Sequence, residues 1–101
     1  MRWVLVIYDI TDDELRQKVA DTLHRYGLAR VQKSAFLGKL PSARLRDLAT
    51  KLQELIRGKR ANIQIYKLCK HCYSTKIVMG VPTVNPLEYE KAMKITTLIE
   101  V

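Results

Sequence analysis

The sequence predicts a small α+β domain, two layers deep, in which one sheet is backed by two helices. Three observations carry this. Residues 3–8, Trp-Val-Leu-Val-Ile-Tyr, form a β-branched and aromatic run that reads as a buried strand. Two later stretches place apolar residues at helical spacing, and residues 62–68 return to a two-residue alternation. A length of 101 residues with 48% hydrophobic content suits one core and one domain.

The first strand exits into Asp9-Ile10. Thr11-Asp12-Asp13-Glu14 then reads as a capping box, with a hydroxyl at the start and a carboxylate three residues on. The helix behind it carries Leu15, Val19, Leu23 and Tyr26 on one stripe with Thr22 beside them, and Gly27 supplies a stop. Residues 28–40 are extended in character. Val31, Lys33, Ala35 and Leu37 alternate with Arg30, Gln32, Ser34 and Phe36. Neither set is purely apolar, so the run is bent or bulged, and Gly38 is a candidate bulge position.

Pro41-Ser42 opens a second helix, with Leu45, Leu48, Leu52, Leu55 and Ile56 as its core stripe and Gly58 at its end. In residues 62–68, Ile63, Ile65 and Lys67 alternate with Gln64, Tyr66 and Leu68. Beyond Cys69 the pattern weakens. Residues 75–79 suit a short strand, Asn85-Pro86 a short helix over 87–93, and residues 95–101 are β-prone. A β-prone tail on so small a domain often pairs with a neighbouring sheet edge, including that of a second subunit. The expected division is therefore a domain over 1–80 and an extension over 81–101 that pairs with the partner subunit. Strand, helix, extended segment, helix, strand fits a ferredoxin-like two-layer sandwich, βαββαβ plus a C-terminal strand, provided that 28–40 splits in two.

Charge points to the partner. The formal net charge is +8, and residues 15–87 hold fifteen Lys or Arg against three acids. Such a surplus suits a polyanion, with nucleic acid ahead of an anionic membrane because no helix pairs a basic face with a bulky aromatic one. No apolar run is long enough to span a bilayer, and none reads as a signal peptide. Two cysteines then suggest reduced thiols in a cytoplasmic protein. There is no glycine-rich phosphate loop, and His24 and His71 have no partners patterned for nucleophilic catalysis.

Asp9 is the leading candidate for chemistry. Helix capping accounts for Asp12, Asp13 and Glu14, since carboxylates favour the positive end of a helix. Asp9 lies outside that first turn. It is either a strand-exit acid or a ligand for a hard cation such as magnesium, which takes carboxylate oxygen and keeps several waters. One carboxylate is a thin ligand set, and a two-fold dimer that joined two copies of Asp9 would improve it.

Arg16 and Lys18 diverge by about 200° on a helix and would not share one phosphate. Arg30, Gln32, Lys33 and Ser34 lie in an extended segment and suit phosphate and sugar contacts. Tyr8, Phe36 and Tyr66 are either base-stacking platforms or core and interface residues, the latter favoured for Tyr66. Cys69-Lys70-His71-Cys72 offers half of a zinc set, completed only by His24 or a second subunit; ordinary thiols are the simpler reading.

Several stretches, taken in order, resemble a known family. They are Val6-Ile7-Tyr8-Asp9-Ile10, Arg16-Gln17-Lys18-Val19, Gly27, Arg30-Val31-Gln32-Lys33-Ser34-Ala35-Phe36 and Ile63-Gln64-Ile65-Tyr66-Lys67-Leu68-Cys69. Together they resemble CRISPR-associated protein 2, the small adaptation subunit of CRISPR immunity, across residues 1–69. The resemblance implies a ferredoxin-like homodimer whose C-terminal strand completes the partner's sheet. It implies a magnesium-dependent endonuclease acting on single-stranded RNA or duplex DNA. It also implies a scaffold that bridges CRISPR integrase subunits (CRISPR-associated protein 1) and holds duplex during spacer insertion. By motif position, Asp9 matches the metal and catalytic carboxylate, while Tyr8, Arg16, Lys18, Arg30, Ser34 and Phe36 match neighbouring functional positions. Lys18, often Arg in the family, and Asn62, often Asp, depart from the pattern. The alternative function is a non-catalytic ferredoxin-type nucleic-acid-binding module, which would show paired exposed aromatics on its central strands.

Overall fold

A computed structural model describes residues 1–93 and the backbone of Leu98–Ile99. Strand β1 (Arg2–Ile10) is followed by helix α1 (Asp13–Arg25), strands β2 (Ala29–Gln32) and β3 (Ala35–Leu40), helix α2 (Ser42–Ile56) and strand β4 (Ala61–Leu68). These strands form one antiparallel sheet in the order β2-β3-β1-β4, so β1 lies between two partners. A short helix α3 (Lys70–Ser74), strand β5 (Val78–Met79) and helix α4 (Pro86–Met93) follow. Strand β5 pairs in parallel with β6 (Leu98–Ile99), which falls within the expected β-prone tail. The rest of that tail, residues 94–97 and 100–101, lies outside the described residues.

Register sorts the strand residues onto two faces, because residues paired across a ladder share a side of the sheet. On one face Val6 lies between Phe36 and Ile65, and Tyr8 beside Ile63. Helices α1 and α2 cover this face with Leu15, Val19, Leu23, Leu48 and Leu52. The predicted stripes therefore point where their spacing requires. On the other face Leu5 lies between Leu37 and Tyr66, and Ile7 between Ala35 and Gln64. Part of this second face is covered by Tyr73, Val78, Tyr89 and Ala92 from the C-terminal segment. The Trp3 and Tyr73 rings stack at 3.5 Å with 4° between their planes, and the Tyr73 hydroxyl donates to the Ala92 carbonyl at 2.6 Å.

The 28–40 segment splits at a tight turn over Lys33 and Ser34. The irregularity is between Arg30 and Gln32, where the β2–β3 register shifts, and not at Gly38. Gly38 serves close packing instead: a Cβ there would lie 2.7 Å from Leu28 Cδ2 and 3.2 Å from Leu28 Cα. The expected capping box also differs. Asp12 is the N-cap of α1 and makes no side-chain capping bond, while Asp13 pairs with Arg16.

Candidate functional site

Asp9 is the last second-face residue of β1, since the ladder pairs it with Asn62 and its neighbour Ile10 with Ala61. Its carboxylate is exposed and makes no hydrogen bond or ion pair among the described residues. It lines a shallow depression of about 270 Å³ together with Thr11, Arg60, Ala61 and Asn62. The backbone here is tightly held. Tyr8 donates its amide to the Ser34 carbonyl at 3.0 Å and its hydroxyl to the Lys33 carbonyl at 3.4 Å.

The cations singled out from the sequence are not gathered around Asp9. Arg16 projects from α1, on the other side of the sheet. Its Nη1 donates to the Ile10 carbonyl at 3.2 Å and its Nη2 pairs with Asp13. Lys18 pairs with Glu14 at 3.5 Å along the same helix. Arg30 is half-buried, with its guanidinium 5.1 Å above the Phe36 ring and its Nε buried without a partner among the described residues. Lys33 is exposed at the β2–β3 turn and Ser34 half-buried beside it.

The aromatic candidates differ from a stacking platform. Tyr8 and Phe36 are 6% and 0% exposed, so neither ring face is open to a base. Both were placed by packing against α1 and α2. Tyr66, favoured as core or interface, is 48% exposed on the second face, and its hydroxyl donates to Gln64 Oε1 at 2.5 Å.

A second polar cluster joins α4 to the edge of the sheet. Glu88 Oε1 accepts from the Arg30 backbone amide at 2.5 Å and lies 2.5 Å from His24 Nε2. Burial pushes the Glu88 carboxyl up, but the Arg30 amide, the His24 ring and the Arg30 charge outweigh it and hold it below its ordinary value. Nothing in the sequence linked Glu88 to Arg30, because 58 residues separate them.

Cys69 and Cys72 are free and exposed. Cys69 caps α3, its Sγ accepting the Cys72 amide at 3.3 Å. That amide and the Cys72 thiol lower the Cys69 thiol, while Cys72, hydrogen-bonded to Cys69, is raised. His24 is engaged by Glu88, and no group of three or more His, Cys, Asp or Glu able to hold a metal occurs among the described residues.

Comparison with known proteins identifies the family. The family model for "CRISPR associated protein Cas2" matches residues 1–76. A CRISPR-associated endoribonuclease Cas2 of Pyrobaculum aerophilum is 45% identical over 80 residues, covering 79% of this chain and 88% of that one. A CRISPR-associated endonuclease Cas1/endonuclease Cas2 fusion of Thermoproteus tenax is 47% identical over 75 residues, 74% of this chain but only 28% of the fusion. Among solved structures, a chain of a partial Cas6-RT-Cas1–Cas2 complex superposes with a TM-score of 0.65 at 30% identity, covering 75% of this chain and 88% of that one. The exposed strand-exit aspartate, the strand order of the sheet and these matches converge: the chain belongs to the Cas2 family of CRISPR-associated proteins.

Proposed function

We propose that this chain is a CRISPR adaptation protein, cytoplasmic and homodimeric with a ferredoxin-like fold, that cleaves phosphodiesters with a divalent cation. The observation that carries the reading is Asp9, an exposed carboxylate with no partner among the described residues, on the face turned away from α1 and α2. One chain alone does not complete a metal site, because Asn62 and Thr11 add only neutral oxygens to the same depression. Two copies of Asp9 across a two-fold axis would hold a magnesium ion that keeps most of its waters. The bound ion would supply an activated water and offset charge on the leaving oxygen. Arg16, by holding the Ile10 carbonyl, orients the strand exit that carries Asp9.

A scaffold role stands beside cleavage. It is supported by fifteen Lys or Arg against three acids over residues 15–87, since neutralising duplex phosphates needs only charge. The fused relative and the Cas1-containing complex support the integrase subunit as partner. The extension over 81–101 would then engage a partner subunit. Val81 and Leu87, 80% and 78% exposed, offer it apolar area. The non-catalytic module with paired stacking aromatics is less well supported, because Tyr8 and Phe36 are buried.

The deciding experiment compares purified wild type and Asp9→Asn, with magnesium and with chelator, on single-stranded RNA and on duplex DNA. The variant is expected to lose cleavage by about 100-fold or more while keeping its unfolding temperature and duplex affinity. Full cleavage by Asp9→Asn would remove the metal assignment.

A further inference from the structure

The cation that shares the Asp9 depression, Arg60, is not one that its sequence neighbourhood suggests. Arg16 and Lys18 are engaged by Ile10, Asp13 and Glu14. The turn between α2 and β4 is different. Arg57, Lys59 and Arg60 are all exposed, and none of their side chains makes an ion pair or hydrogen bond among the described residues. Arg60 directly precedes Ala61, the ladder partner of Ile10, so it extends the row that holds Asn62 and Asp9 and lines their depression.

The turn is also built to hold a shape. Gly58 has φ +72°, a conformation that side chains disfavour, and the Lys59 amide donates to the Ile56 carbonyl at 2.9 Å. Lys59 faces a neighbouring hollow of about 150 Å³ that also holds Asp12, Glu14 and Lys18. Glu14 is paired with Lys18, which leaves Asp12 as the unpaired acid facing Lys59. Among the described residues, no acid other than Asp9 lines the depression with Arg60.

We infer that the turn over 57–60 is a phosphate-docking element: Arg60 and Lys59 receive the phosphodiester backbone that flanks the position addressed by Asp9. The inference rests on the nucleic-acid reading above and adds the residues that seat the strand. Arg60 suits the task because a guanidinium grips phosphate oxygens with two parallel donors while staying charged. Its position beside Asp9 sets which phosphate arrives there, and contacts to phosphate fix register without reading sequence.

The test is equilibrium binding in chelator, which prevents cleavage, to a single-stranded RNA and a DNA duplex of equal length. Wild type, Arg60→Gln/Lys59→Gln and the charge-matched Arg2→Gln/Lys91→Gln are titrated across salt concentrations, with unfolding temperature checked for each. If two duplex phosphates are lost, the slope of log K against log salt falls by about 1.8 in Arg60→Gln/Lys59→Gln, and by about 1.4 on a single strand. Arg2→Gln/Lys91→Gln is expected to keep the wild-type slope, and Arg60→Lys to keep slope while losing part of the affinity. The arm with the larger change identifies the strand type that the turn seats. Equal slope losses in the two double variants would overturn the inference while leaving nucleic-acid binding intact. A wild type that bound neither probe would overturn the underlying reading as well.

Discussion

The two faces of the sheet are closed in different ways. The first carries Val4, Val6 and Phe36, all fully buried beneath two helices of thirteen and fifteen residues. The second carries Leu5 and Ile7, only half-buried, and its cover is a five-residue helix, a two-residue strand and an eight-residue helix. Long amphipathic helices exclude water along a whole strand. Short pieces cover only the part they touch, near β2, β3 and the start of β1. The uncovered part is the side toward β4, where Gln64, Tyr66, Asn62 and Asp9 are exposed. The first face thus provides stability, and the second leaves polar surface open beside β4.

That contrast can be broken by substitution. Phe36→Ala is expected to have the largest effect, about 3–5 kcal/mol of global stability, because a fully buried ring leaves a cavity under both helices. Chemical denaturation would show it as a lower midpoint with unchanged slope. Tyr73→Ala should act locally. Removing the ring stacked on Trp3 is expected to lower exchange protection in α4 by about a hundredfold or more while α1 keeps its own. If α1 loses protection equally, the two faces unfold as one unit and the contrast is only geometric.

Glu88→Gln sharpens the comparison with the smallest effect, about 1 kcal/mol at neutral pH, since it loosens the tie between α4 and β2. The sign of its pH dependence is fixed. The folded carboxyl titrates below the ordinary 4.5, so its contribution is present above 4.5 and disappears as pH falls through the lower folded value. Unfolding temperatures of wild type and variant should therefore converge only below that pH. A constant gap down to strongly acidic pH would show that the carboxylate charge plays no part.

The same contrast explains what the sequence could reveal. Leu15, Val19 and Leu23, and Leu48 and Leu52, announce their helices because one long face meets one sheet. Asp9 was legible as the charge that ends an apolar strand. The cover on the second face was harder to read. The α3 segment is too short to show a helical period, and Tyr73 gains its place through Trp3, seventy residues away, and through the Ala92 carbonyl. Arg60 was hidden for a related reason: its closeness to Asp9 follows from the β1–β4 register, and no local spacing encodes a pairing between distant strands. Tyr8 and Phe36 were legible as aromatics, but only packing shows that their rings face the helices.

Tyr8 has one more consequence. By donating amide and hydroxyl to successive carbonyls of the 33–34 turn, it fastens the main chain just before Asp9 to one strand, while Asn62 fastens Asp9 to another. The aspartate is left with little to search beyond its own side-chain torsions. A cation bound by Asp9, as proposed, would therefore meet a carboxylate whose anchoring was settled during folding, and little backbone entropy would remain to be surrendered on capture.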